Sequence, residues 1–469
     1  MRGFGLVVAA GLISSSGSPA AAHSYVRENA ASSAGQDALQ QRTNLDVPAL
    51  LASARGAPPM ICAMAAQSVK QWGWGWGDGA SDAPSTPLAT IVSAVNSQLR
   101  QNGGNLTSDD VDRLMAALGS DDACVRELSV RLLGTQKNET ISKGFVVRLA
   151  SNDAATREVA AFGLGLSEPK DAVAPLMQAL RDQTPGVRAN SAWALGRLES
   201  GSALRPLLSL FSDNAEIVRE AAVVAVGHME STAAVSSLIK VLREDNAASV
   251  RRVAAWALGE AEVREAVSAL SAALANDADP RVREMSAWAL EGIEDRGAVP
   301  ALTTAARRDA DDRVRETAVW ALGSLEDAAA ADVLGEIVSN DKSSRVRGTA
   351  AWALGQYDRR GMRAPSGLLQ ALKDESDDTR LKAAWALGNI GDEQALPALR
   401  NALTVEKNDR VRRGLIRALM RSGERSEAAL TQLLSSPDPQ VREAAVRGLA
   451  GRESFEPWPW PWPRPRPFP

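Results

Sequence analysis

The chain has 469 residues, a formal net charge of −4, two histidines and two cysteines, with aromatics at 4 %. A mild acidic balance argues against a general binder of nucleic acid or of anionic membrane, and no uninterrupted apolar run of 18 or more residues offers a membrane-spanning helix. Two histidines also leave too few ligands for a zinc centre or a multi-histidine catalytic site. HExxH, GxxxxGK, GxGxxG and Cys-x-x-Cys are all missing.

The N-terminus reads as a secretory signal. Arg2 precedes an apolar run from Phe4 to Ile13, and Ala20-Ala21-Ala22 ends the segment. Cleavage after Ala22 and a periplasmic or secreted protein are therefore expected. Cys62 and Cys124 could pair in such a compartment or serve as small buried hydrophobes. Residues 23–107 form an irregular leader. Within it Val47–Arg55 and Met60–Lys70 have the length of two short capping helices, and Leu88–Arg100 of a third. Between them Gln71–Gly79, QWGWGWGDG, alternates Trp with Gly. It is read as a strand-like piece folded over the first repeat's apolar edge, with an aromatic platform for sugar or peptide as the alternative.

From Ser108, expected to cap a helix, to Gly451 the sequence repeats. Arginines at 126, 157, 188, 219, 251, 283, 315, 347, 380, 412 and 442, most preceded by Val, recur at a period near 32. A fixed period of this length marks a solenoid of stacked supersecondary units. Inside one unit Val282, Ser286, Ala289, Leu290 and Ile293 make a helical stripe. A second stripe follows a polar turn, as with Leu396, Leu399 and Leu403. Two helices joined by short turns fill the period, and a lone pair cannot bury both apolar faces.

Two kinds of residue recur at fixed offsets. Asp182, Asp213, Asp245, Asp277, Asp309, Asp341 and Asp374 each stand six before a repeat arginine, so Arg251, Arg283, Arg315 and Arg347 pair with an Asp at one register. Identical placement in unit after unit means structure: the arginine fork is expected to tie adjacent units through an Asp or a turn carbonyl. Trp193, Trp256, Trp288, Trp320, Trp352 and Trp385 each stand five after the arginine, with Phe162 and Val224 in equivalent places and Arg417 and Arg447 ending the series. This ladder is read as packing between units, with partial exposure as a binding ridge. One position after the arginine, Glu127, Glu158, Ala189, Glu220, Arg252, Glu284, Glu316, Gly348, Arg413 and Glu443, with Lys382 one step further on in its unit, are expected to point outward in an acidic-to-basic series. Such a gradient suits a polar peptide laid along it.

The phrase Val-Arg-x-x-Ala-Ala-Trp-Ala-Leu-Gly, followed by Asp and an Ala-Val/Leu-x-x-Leu helix, resembles the HEAT-like repeats of phycobilin lyases and of many bacterial binding proteins. The resemblance implies an all-α, right-handed α-solenoid of about eleven helix pairs, with the second helices and the tryptophans lining its concave side. Deoxyhypusine hydroxylase, an enzyme of this fold, holds iron with several His-Glu pairs. Here only His228-Met229-Glu230 approaches that pattern, so no metal, cofactor or catalytic residue carries over. The expected function is a monomeric, non-catalytic scaffold for a protein or peptide partner, with no nucleic acid. A phycobilin-lyase-like activity is the alternative.

The last stretch, Pro457–Pro469, alternates Pro with Trp458, Trp460 and Trp462, then with Arg464 and Arg466. It should be polyproline II. Weak contact with a membrane surface through indoles and arginines is one expectation. A ligand for an aromatic groove, or a solvated end with no partner, are the others.

Overall fold

A computed structural model describes residues 46–58, 62, 106–136, 138–357, 363–424 and most of 431–449. The expected signal segment, Met60–Lys70 apart from Cys62, the Gly-Trp stretch, Leu88–Arg100 and the Pro-Trp tail with Trp458, Trp460, Trp462, Arg464 and Arg466 lie outside them. The described residues contain twenty-two α-helices and no strand. A leading helix α1 (Val47–Ala54) precedes the array. First helices of the repeats are α2 (Ser108–Ala117), α4 (Glu139–Arg148), α6 (Val173–Ala179), α8 (Leu204–Ser209), α10 (Val235–Glu244), α12 (Val267–Asn276), α14 (Val299–Arg308), α16 (Ala331–Asn340), α18 (Ser366–Ala371) and α20 (Leu396–Val405). Second helices are α3 (Ala123–Gly134), α5 (Ala154–Ser167), α7 (Pro185–Arg197), α9 (Glu216–His228), α11 (Ala248–Glu260), α13 (Pro280–Gly292), α15 (Asp312–Leu325), α17 (Ser344–Gln356), α19 (Asp377–Ile390), α21 (Asp409–Arg421) and α22 (Pro439–Leu449).

Successive helices pack in pairs, and each second helix packs directly on the next, more extensively than first helix on first helix. The result is an α-solenoid. Val282, Ser286, Ala289 and Leu290 are fully buried, as their stripe requires. The first helices are shorter than the second, because several begin in a 3-10 turn such as Arg264–Ala266 before α12. The first cap is shifted by one residue from the expected Ser108. Thr107 accepts from the Asp110 N–H (3.2 Å) while the Asp110 carboxylate accepts from the Thr107 N–H (3.3 Å). This reciprocal box satisfies two helix-end donors at once.

The arginines join the units in one repeated geometry. Arg251 donates through Nε and Nη2 to the two carboxylate oxygens of Asp277, at 2.7 and 2.9 Å, in the following unit. Its Nη1 donates to the carbonyl of Asp245, at 2.9 Å, in its own unit. Asp245 in turn takes the fork of Arg219 and the N–H of Ala247 (2.9 Å). The same pattern holds for Arg283 with Asp309, Arg315 with Asp341 and Arg347 with Asp374. At Arg380 a glutamate, Glu406, takes the place of the aspartate at 2.6 and 3.0 Å.

The front of the array is closed by α1. Val47, Leu50 and Ala54 are fully buried against it, α1 packing on α2 and α3. Asp122 N-caps α3 through the N–H groups of Cys124 and Val125, and its other oxygen accepts from the Gly56 N–H at 2.7 Å. A disulfide joins Cys62 to Cys124 across 62 residues of sequence. Of the two roles open to these cysteines, pairing is the one the structure takes.

The ladder generates a pH dependence. Hydrogen bonds from Arg157 and Arg188 hold Asp182 and Asp213 below the ordinary carboxylate value of 3.8, with burial opposing. A carboxyl whose folded pKa is depressed binds fewer protons folded than unfolded. Its stabilisation is present above the unfolded value and is lost as pH falls through the folded one. Thermal midpoints should therefore hold above about pH 5 and fall steadily below about pH 4. Asp213→Asn should flatten the fall; a slope unchanged by that substitution removes the ladder from the explanation.

Candidate binding surface

The face formed by successive second helices is built from residues one, five, eight, nine and eleven positions after each repeat arginine. At position five an aromatic row begins with Arg131, whose guanidinium lies 5.5 Å from the centre of the Phe162 ring. Phe162 is followed by Trp193, ring centres 5.2 Å apart. Trp256 and Trp352 are buried, while Trp193, Trp288, Trp320 and Trp385 are half-buried. The tryptophans therefore pack between units and are still only partly covered at four of the six positions.

What admits these rings is the residue eight after the arginine of the preceding unit. It is glycine through most of the array, and a Cβ there has no room. At Gly165 it would stand 2.3 Å from Cζ3 of Trp193, at Gly227 2.4 Å from Trp256, and at Gly355 2.4 Å from Trp385. Helix thus meets helix with the indole laid over bare backbone. In α13 the position carries Glu291 instead. Its half-buried carboxyl is pushed upward by burial, partly offset by a hydrogen bond with Ser324 of α15. His228, nine after its arginine, sits edge-on to Trp256 with centres 5.1 Å apart.

The row one position after the arginine is not outermost. Glu284, Glu316, Arg252 and Arg413 are half-buried, as is Lys382 one step further on, and Ala189 and Gly348 are fully covered. Neighbouring helices come too close for this row to stand clear. Glu316 lies 3.6 Å from Arg345, and Lys382 pairs with Asp378 at 2.6 Å.

At position eleven, just past each second helix, the backbone is left-handed. Glu168, Glu199, Glu230, Glu262, Glu294 and Glu326 all have φ between 46° and 55°, and the equivalent residues after α19 and α21 are Gly391 and Gly423. A left-handed conformation costs a residue with a Cβ about 1–2 kcal/mol, whereas glycine adopts it freely. Six glutamates at such a position keep carboxylates where backbone preference asks for glycine. All but Glu168 are exposed. Sequence reasoning did not find this row, because glutamate gives no sign of a left-handed turn. Only the match in register with Gly391 and Gly423 could have exposed it.

Fold and repeated surface together define an α-solenoid protein of stacked helix pairs. A family model of HEAT repeats matches residues 142–227, 235–323, 299–364 and 365–450, and the chain belongs to the HEAT-repeat family. Among curated proteins it is similar to the bilin biosynthesis protein PecE of Mastigocladus laminosus, 43 % identical over 72 residues, which is 15 % of this chain and 27 % of that protein. Among solved structures it resembles Kap95p in complex with RanGDP, with 12 % identity, a TM-score of 0.55 and coverage of 87 % of this chain and 66 % of that one. The CpcE–CpcF complex of phycocyanin lyase from Nostoc sp. PCC7120 matches at 22 % identity and a TM-score of 0.32, over 53 % of this chain and 93 % of that one.

The packing assigns different weights to the tryptophans. Trp352 is 5 % exposed and Trp320 only half-buried, so Trp352→Ala should destabilise the array by ~3–5 kcal/mol and Trp320→Ala by distinctly less. Paired thermal melts decide this: equal losses at both sites would mean that the ring edge of Trp320 contributes as much as full burial does.

Proposed function

We propose that this protein is a non-catalytic scaffold that holds a protein or peptide partner along the face of its second helices, in the cell envelope or outside the cell. One observation carries the reading. A surface built from the same helical positions recurs through the described repeats, and its tryptophan row is only partly consumed by packing. The more extensive packing of second helix on second helix than of first on first supports reading theirs as the inner side of the array. Kap95p, which shares the fold, holds a protein partner in its own structure, and that supports a partner here.

A second reading, attachment or handling of a bilin pigment, is favoured by the 72-residue match to PecE. Capture of the mature protein from its host separates the two: a bound tetrapyrrole colour favours the pigment reading. For the scaffold, a photo-cross-linking residue at Glu316 of α15 should capture a partner that the same residue at Lys240, exposed on the first helix α10, does not. Equal capture at both sites rejects the inner face as the binding surface.

Location outside the cytoplasm rests on the leader sequence and is supported by the Cys62–Cys124 disulfide, a bond that persists in oxidising compartments. The mature chain is expected to begin at His23. Closing a loop of this size contributes about 4 kcal/mol in the chain-entropy account, so reduction should lower the melting temperature of the first repeats. Recovery of intact Met1 with both thiols free from the cytosolic fraction would refute export.

A further inference from the structure

The charge carried by the face of the second helices changes along the array, acidic residues giving way to basic ones toward its end. On α9 to α15 the face presents Glu220, Glu260, Glu284, Glu291 and Glu316, with Arg252 as the cation among them. The left-handed residues that rim the same helices are Glu230, Glu262, Glu294 and Glu326. The next helix, α17, carries the uncharged Gly348 and Gln356 at positions one and nine. On α19 and α21 the face presents Lys382, Arg413, Arg417 and Arg421, and the rim residues become Gly391 and Gly423. Position one passes from Glu316 to Gly348 at α17 and to Arg413 on α21, position nine from Glu260 on α11 to Arg421 on α21, and the rim from glutamate to glycine at α19.

Resting on the scaffold reading above, we propose that the inner face takes an extended polypeptide segment with two charge blocks, the basic block over α9–α15 and the acidic block over α19–α21. The half-buried Trp288, Trp320 and Trp385 lie along the same face and offer apolar contact to the segment. Nucleic acid does not fit, because the longer part of the face is acidic. Neighbouring helices packed about 8–10 Å apart put the two charge centres roughly 35–40 Å apart. At about 3.3 Å per extended residue, the block centres should be separated by about eleven residues.

Fluorescence anisotropy with synthetic peptides tests this. Each peptide carries a four-lysine block and a four-glutamate block joined by a Gly/Ser spacer of about two, seven or fifteen residues; at 3.3 Å per residue the middle one matches the span. The middle peptide should bind at least about tenfold tighter than either block alone, and the shortest should lose that gain. Combined Glu262→Gly, Glu294→Gly and Glu326→Gly should weaken the lysine block and leave the glutamate block unchanged, while the melting temperature stays level or rises. Arg413→Gln with Arg417→Gln should do the converse for affinity. Binding that ignores spacer length, or rim substitutions that weaken both blocks alike, overturns the proposal. So does salt-sensitive self-association that the peptides displace. If no peptide binds while Glu316 still cross-links a cellular partner, the charge register is wrong and the scaffold stands; if both fail, both fall.

Discussion

The structure depends on one side chain used in the same way in unit after unit from Arg157 to Arg380. Each of these arginines closes a ring of hydrogen bonds: a two-pronged contact with the carboxylate of the following unit, and a third bond to a carbonyl six residues back in its own. Lysine could not make the three together, since it lacks the planar fork. The partners are drawn well out of water, the Arg315 side chain being 4 % exposed and Asp341 8 %. Removing either member of such a pair leaves the other buried and unpartnered, which is where the large energetic loss lies. The ladder therefore sets the stacking geometry of the units more than it adds to their stability.

The ring also explains why the period is uneven. The step from carbonyl to arginine is always six residues, because both sit on the entry turn of the second helix. The step from arginine to the next carboxylate varies, at 25 residues from Arg188, 26 from Arg251 and 27 from Arg347. All variation in repeat length is absorbed in the turns and short first helices between these fixed points. A residue can be added there without moving the fork, whereas one added between Asp and Arg would break it.

Much of this was legible in the sequence. A period carried by Val-Arg, an Asp at constant offset and a Trp five residues on are enough to place both helices of a unit and the joints between them. The arginine's choice of partner was not legible, since the Asp of its own unit and that of the next lie at equally regular distances. Only stacking decides that the near Asp gives its carbonyl and the far one its carboxylate. The half-burial of Glu284 and Glu316 was missed for a related reason: a helical wheel fixes direction on one helix and says nothing of how closely the next one comes. The joining of Cys62 to Cys124 and the dual role of Asp122 were hidden because they belong to the end of the array, where no repetition reports them.

Repetition also separates positions that hold the array from positions free to differ. The arginine, the carboxylate that receives it, the buried leucine and the glycine beneath the indole recur because each answers a geometric demand made identically in every unit. Positions one and nine after the arginine meet no such demand, and there the chain changes from unit to unit. Glu291 marks the boundary between the two kinds. It stands at a position where glycine otherwise admits the neighbouring helix, and its carboxyl is held half-buried against Ser324. A packing position has here been given a polar group. It lies inside the acidic part of the inner face, four helical repeats' worth of surface that would remain acidic without it. Departure from the packing rule in that stretch, together with left-handed glutamates along its rim, means that the local sequence answers to the surface as well as to the stack.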